Sequence, residues 1–197
     1  MRLSNAVLSV GLALGLVAGL AAAGDARLGE QVAGACADCH GREGNGRNDK
    51  PGVPRLAGQS EAYLVKQMFD IRHGRRQHGA AGGFEPLTLV QIEGLAAHYA
   101  HLPRGAGTPG NVYAVADGRR YFEERNCRLC HGVDGEGNLQ DGQIPRLGGQ
   151  GRQYLINAMK DFQSGQRRND RDGVKPFFFS SVADQDIEAL AEYLSSR

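Results

Sequence analysis

Beyond its first two dozen residues the chain places hydrophobic side chains at three- and four-residue spacing, and no stretch reads as a convincing strand. Tyr63, Leu64, Met68 and Ile71 predict a helix over 60–73, and Ile92, Leu95, Ala96 and Tyr99 predict another over 88–101. The same organisation returns as helices over 151–164 and 183–195, the last carrying Ile187, Leu190, Ala191 and Leu194. Two further helices are expected over 26–39 and 117–130. The fold class is therefore all-α. Between the two sets, Pro103-Arg104-Gly105-Ala106-Gly107-Thr108-Pro109-Gly110 has the composition of a linker.

The first residues follow another pattern. Arg2 precedes a nearly unbroken small and apolar stretch from Ala6 to Ala23, which ends in Leu20-Ala21-Ala22-Ala23 ahead of Asp25 and Arg27. Small residues at Ala21 and Ala23 suit a signal-peptidase site, so residues 1–23 read as a secretory signal peptide cleaved near Gly24. An uncleaved anchor is the alternative, because the stretch is about long enough to span a bilayer. The expected location is the periplasm.

Four cysteines in an exported chain would ordinarily pair as disulfides. Their spacing points elsewhere. They fall as Cys36-Ala37-Asp38-Cys39-His40 and Cys127-Arg128-Leu129-Cys130-His131, two C-x-x-C-H motifs 91 residues apart. In this motif the two thiols add to the vinyl groups of one haem and the next residue, His, binds the iron. A zinc site would draw on the same thiolates and imidazoles, and a thioredoxin-like site uses one C-x-x-C in a βαβ unit. Neither explains a histidine directly after the second cysteine twice. The expected cofactors are two covalently bound haem c groups, with His40 and His131 as metal ligands.

The 91-residue offset recurs downstream. Pro54-Arg55-Leu56-Ala57-Gly58-Gln59 matches Pro145-Arg146-Leu147-Gly148-Gly149-Gln150, Tyr63-Leu64 matches Tyr154-Leu155, Met68 matches Met159, and Gly74 and Arg76 match Gly165 and Arg167. Beyond Arg167 the offset becomes 95, so the second copy carries about four extra residues in one loop. The chain is a tandem duplication, with domains expected at 24–102 and 113–197 and a linker at 103–112. The Gly-rich loops after each motif, Gly41 to Gly46 and Gly132 to Gly137, let backbone pass close to a flat ligand.

Composition narrows the function. The 23 Lys plus Arg nearly balance the 22 Asp plus Glu, so there is no polyelectrolyte signal for nucleic acid. With 29 Gly, no Trp and 7% aromatics, two small domains would have thin cores and need support besides side-chain packing. No nucleophile–base pairing, phosphate loop or dinucleotide fingerprint is present.

Taken in order, C-x-x-C-H-G, P-x-L-x-G-Q, Y-L, G-x-R and a terminal helix, twice in one exported chain, resemble the dihaem cytochrome c4 family. The resemblance covers essentially the whole chain after the leader. It implies two tandem class I cytochrome c-like domains, each wrapped around one covalently attached haem. It implies further that Pro54 and Pro145 offer backbone carbonyls to Nδ1 of His40 and His131 and that Leu56 and Leu147 pack on the haem faces. Tyr63, Tyr154, Arg76 and Arg167 then lie near the propionates, with a solvated surface charge as the alternative for each arginine.

One feature departs from the family, whose sixth iron ligand is a methionine in the loop after G-x-R. Residues 77–86 and 168–177 contain none. Met68 and Met159 stand in the central helices, where core packing is the expectation and an unusual ligand pair the alternative. His78 lies near the expected ligand position of the first copy, with solvent exposure as its alternative and His73 as a weaker donor. Lys175 holds that place in the second copy, against an open or water-bound iron, and would have to lose its proton by burial. Phe177-Phe178-Phe179 is expected to cover the distal edge of that haem. Replacing thioether by His, Lys or water lowers the potential.

The function expected is single-electron transfer between redox protein partners, a dehydrogenase, oxidase or reductase, with a dedicated dehydrogenase subunit as one variant. A haem enzyme or a gas- or peroxide-binding cytochrome with an open sixth site is the alternative. Arg72, Arg75, Arg76, Arg167, Arg168 and Arg171 would steer an acidic partner unless they form an ordinary solvated face. Membrane association is expected only through a partner or an uncleaved anchor.

Overall fold

Side chains able to accept a backbone N–H stand where several helices begin. Asp25 caps α1 (Ala26–Val32), Ser60 caps α3 (Glu61–Arg72), and Asn111 caps α5 (Val112–Glu124). Thr88 and Gln91 close a reciprocal capping box on α4 (Leu89–His101). The remaining helices are α2 (Gly34–His40), α6 (Arg128–His131), α7 (Arg152–Ser164), α8 (Val174–Phe179) and α9 (Asp184–Ser195). The computed structural model describes residues 24–79, 87–138, 140–170 and 173–197; among these there is no strand, and no helix is long and apolar enough to cross a membrane. The expected signal peptide lies outside the described residues.

Three boundaries differ from expectation. The helix expected over 26–39 divides at Ala33 into α1 and α2. The one expected over 117–130 starts earlier, at Val112, because Asn111 supplies the cap, and parts into α5 and α6 around Asn126, whose φ is 57°. Asparagine is among the few side chains that enter this left-handed region readily. The third difference is α8, in a stretch expected as loop. It starts after Gly173 at φ 64° and carries Pro176 in its first turn, where a missing N–H costs no helical bond.

The helices pack as two units. In the first, α4 lies across α1 and α3; in the second, α9 lies across α5 and α7, with α8 against α7. The first core gathers Leu64, Leu95, Ala96 and Tyr99, with Met68 partly buried against it. The second is larger and holds Phe122, Leu155, Met159, Ile187, Leu190 and Tyr193. Both methionines thus fill core positions. The crossings leave no room for a side chain. A Cβ on Gly29 would overlap the Gly94 carbonyl, and one on Gly118 would overlap the Ala189 carbonyl.

The segment between the units is strapped down. The Asn45 amide donates to the Pro103 carbonyl at 3.0 Å and accepts from the Gly105 N–H at 2.7 Å. Arg104 donates to the Gly148 carbonyl, and the Thr108 N–H donates to the Ser195 carbonyl at 2.8 Å. Backbone and side-chain hydrogen bonds to both units replace the free motion that its composition would allow.

Gly118→Ala tests the crossing. In a free helix the change gains about 1 kcal/mol, whereas the overlap with Ala189 is expected to cost about 2 kcal/mol net. Denaturant melts of the haem-loaded protein measure the sign, and a stabilised variant would show that α5 and α9 have room to part.

Candidate haem-binding sites

Each C-x-x-C-H motif ends a helix on its histidine, and a glycine turns the chain back beneath it. Gly41 and Gly132, at φ 79° and 82°, occupy a region closed to most side chains. The Gly46 N–H then donates to the His40 carbonyl at 2.8 Å, and the Gly137 N–H to the His131 carbonyl at 2.7 Å. The Gly44 carbonyl accepts from the N–H groups of Leu56 and Ala57; the Gly135 carbonyl accepts from those of Leu147 and Gly148. These bonds bring the Pro-Arg-Leu segments under the histidines. His40 Nδ1 donates to the Pro54 carbonyl at 2.9 Å and His131 Nδ1 to the Pro145 carbonyl at 3.1 Å.

With Nδ1 so engaged, Nε2 keeps the lone pair on each ring. Burial lowers the His40 pKa and brings that of His131 down to about 4, against the opposing effect of the carbonyl bonds. Both imidazoles are therefore neutral and ready to bind metal. The four cysteines form no disulfide with one another, and burial raises the pKa of the Cys36 and Cys127 thiols. Leu56 and Leu147 are half-buried against the two cores. The buried Tyr99 hydroxyl, beside the Cys36 thiol, lacks a hydrogen-bond partner of ordinary geometry. Two thiols, a histidine Nε2 and a glycine-lined backbone in each unit fit a covalently attached haem.

On the other side of His40 stands His78, with ring centroids 6.2 Å apart and ring planes 25° from parallel. Lys175 is half-buried, its Nζ 5.5 Å from the centroid of Phe162. Burial lowers its pKa, aided by Arg167 and opposed by Asp170, and its charge in turn depresses His131, so the two residues lie within electrostatic reach of each other. His73 is exposed and turns Nδ1 to the Phe69 carbonyl of its own helix at 2.7 Å. Of the aromatic run, Phe178 and Phe179 pack against the second core while Phe177 is 84% exposed.

The tyrosine and arginine pairs meet between the units. Arg167 donates to the Tyr63 hydroxyl at 3.0 Å, Arg76 donates to the Tyr154 hydroxyl at 2.9 Å, and both guanidiniums donate to the Gln67 Oε1. Arg167 is buried and stacks 4.5 Å from the Phe162 centroid, so it is not a solvated charge. Beside it, buried Asp70 accepts from Lys66, Arg75 and Asn169. Burial alone would raise the Asp70 pKa, but these three donors hold it below the ordinary value. The arginines expected to steer a partner are thus mostly engaged. Arg72 donates to the Leu87 carbonyl and Arg168 to that of Gly165, while Arg171 lies outside the described residues.

Sequence reasoning missed Gln67, Asp70 and Asn169. The available signal was polar side chains near buried helix positions, and Gln67 stands where the second copy has Ala158.

Comparison with known proteins gives this geometry a family. The cytochrome c profile matches residues 26–90 and 115–197. Cytochrome c4 of Pseudomonas aeruginosa is 33% identical over 98% of each chain. The thiosulfate dehydrogenase electron acceptor of Thiomonas intermedia is 31% identical, over 84% of this chain and 79% of its own. The crystal structure of reduced recombinant cytochrome c4 from Pseudomonas stutzeri superposes with a TM-score of 0.77 at 31% identity, over 88% of this chain and 99% of that one. Fold and site together define a c-type cytochrome built twice over. The chain belongs to the dihaem cytochrome c4 family, with two covalently bound haem c groups, and functions in electron transfer.

Asp70→Asn probes the interface cluster. Leaving Lys66 and Arg75 without their carboxylate is expected to cost about 2 kcal/mol at pH 7, since both cations are partly solvated. Because the native carboxyl titrates below its unfolded value of about 3.9, its stabilisation is complete above that pH and lost as pH falls through the native range. Denaturant melts should therefore show the difference from the unsubstituted protein closing in acid.

Proposed function

We propose that Cys36, Cys39 and His40 hold the first haem in a domain spanning 24–102, and that Cys127, Cys130 and His131 hold the second in 113–197. The chain then works as an exported, periplasmic electron carrier and not as an enzyme. When bound, each haem supplies a one-electron couple. The chain's own residues set its surroundings. Pro54 and Pro145 fix the proximal rings, Leu56 and Leu147 pack on the haem faces, and Tyr63, Tyr154, Arg76 and Arg167 offer donors to the propionates between the units.

The observation that carries this reading is the 6.2 Å separation of His40 and His78. That gap is wide enough for one metal ion held by a nitrogen of each ring, with metal–nitrogen bonds of about 2 Å. His40 and His78 would then hold the iron together and leave no place on it for a substrate. Lys175, half-buried and with its pKa lowered, would hold the second iron through its amine once that amine has lost its proton. A dehydrogenase is the favoured electron donor, supported by the similarity to the thiosulfate dehydrogenase electron acceptor, and an oxidase or reductase takes the electrons on.

Absorption spectra of the purified protein test this. Two low-spin haems, no iron–thioether charge-transfer band in the near infrared and no CO binding to the reduced form are expected. His78→Met and Lys175→Met should each install that band and raise the potential of one haem, on the order of 0.1 V. A high-spin fraction that binds CO would instead mean an open iron and put the haem enzyme or gas-binding function first.

A further inference from the structure

The Pro54 carbonyl that accepts the His40 proton and the N–H of Arg55 belong to one peptide group. That N–H donates to Oε1 of Gln150 at 2.7 Å, and the Arg55 carbonyl accepts from Nε2 of the same side chain at 2.9 Å. Gln150 comes from the other unit. The arrangement is reciprocal. The peptide between Pro145 and Arg146 accepts from His131, its N–H donates to Oε1 of Gln59 at 2.9 Å, and the Arg146 carbonyl accepts from Gln59 Nε2 at 2.9 Å.

Both glutamines are buried, so bulk water does not compete for these bonds. Their orientation is determined twice over. Each Oε1 also accepts the N–H of the following residue, Ser60 at 2.9 Å or Gly151 at 2.8 Å, so a flipped amide would point its NH2 group at two donors.

We infer that Gln59 and Gln150 are positioning residues acting across the interface, each tuning the reduction potential of the haem held by the opposite unit. The inference rests on His40 and His131 being the proximal ligands. An N–H that donates to Oε1 leaves its peptide more polarised, and the proline carbonyl becomes a stronger acceptor. That carbonyl draws the Nδ1 proton, makes the imidazole a richer donor at Nε2 and favours ferric over ferrous iron. Each glutamine therefore holds down the potential of the haem it does not touch.

The test is a crossed pair of substitutions in the full-length haem-loaded protein, read by equilibrium redox titration. Gln150→Leu should move one of the two one-electron waves upward, with an about threefold change in the ferrous-to-ferric ratio, or about 28 mV at 59 mV per tenfold. Gln59→Leu should move the other. His78→Met, beside His40, first marks the wave of the first unit; Gln150→Leu must then move that wave and Gln59→Leu the other.

Gln150→Glu and Gln59→Glu keep the acceptor and should move the same two waves downward, and they carry the test if a leucine variant fails to fold. Arg104→Ala, which removes a contact across the interface without touching either peptide, should leave both waves in place. Equal movement of both waves in a single variant, movement of the same wave by both glutamines, no movement, or an equal effect of Arg104→Ala would overturn the inference. Failure of the haem assignment would show differently, as the lack of two one-electron waves in the unsubstituted protein.

Discussion

The hydrogen bond from a histidine Nδ1 to a proline carbonyl orders each half of this molecule. It decides which ring nitrogen keeps its lone pair, and it needs a carbonyl 14 residues downstream brought beneath the ring. The glycines at 41, 44 and 46, and again at 132, 135 and 137, provide the left-handed turns that allow this return. The first core behind them gathers one aromatic side chain, Tyr99, and the helices of both units close on glycine because nothing larger fits the crossing. A bound macrocycle supplies the large apolar body that the side chains do not.

The histidine-to-proline geometry was open to reading because its parts are close in sequence. Two thiols and an imidazole must follow one another within a turn or so of helix, and the glycines and the proline follow at set distances along the chain. The central and final helices were equally legible, since Leu64, Leu95, Ile187 and Leu190 keep a helical period whatever packs against them. Other features depend on contacts distant in sequence. The left-handed Asn126 divides α5 from α6 without any periodic sign, and α8 forms where Phe178 and Phe179 find the second core. For Arg76 and Arg167 a surface charge stayed open as the alternative because their partners, Tyr154 and Tyr63, stand in the opposite copy.

The two copies are not equal. Gln67, Asp70 and Asn169 form a buried polar cluster that draws on both, yet only one side of it is built from the central helix. His78 in one copy stands beside His40 and Lys175 in the other within electrostatic reach of His131, in loops of different length and chemistry. Duplication kept the C-x-x-C-H and Pro-Arg-Leu segments nearly constant and let the loops after Arg76 and Arg167 diverge. Two centres that share one scaffold can in this way hold different potentials, which gives an electron a direction of travel.

The paired glutamine contacts have the form of an isologous interface, in which a residue of one copy grips the other and is gripped in the same manner in return. Such a contact closes on itself. Once the halves have met, no equivalent donor or acceptor is left to recruit a third, so the surface that joins them cannot propagate into a chain of molecules. The strap from Pro103 to Thr108 turns what would be a concentration-dependent dimer into an intramolecular event. Joined in one polypeptide, the copies stay paired at any dilution, and either can change without losing its companion.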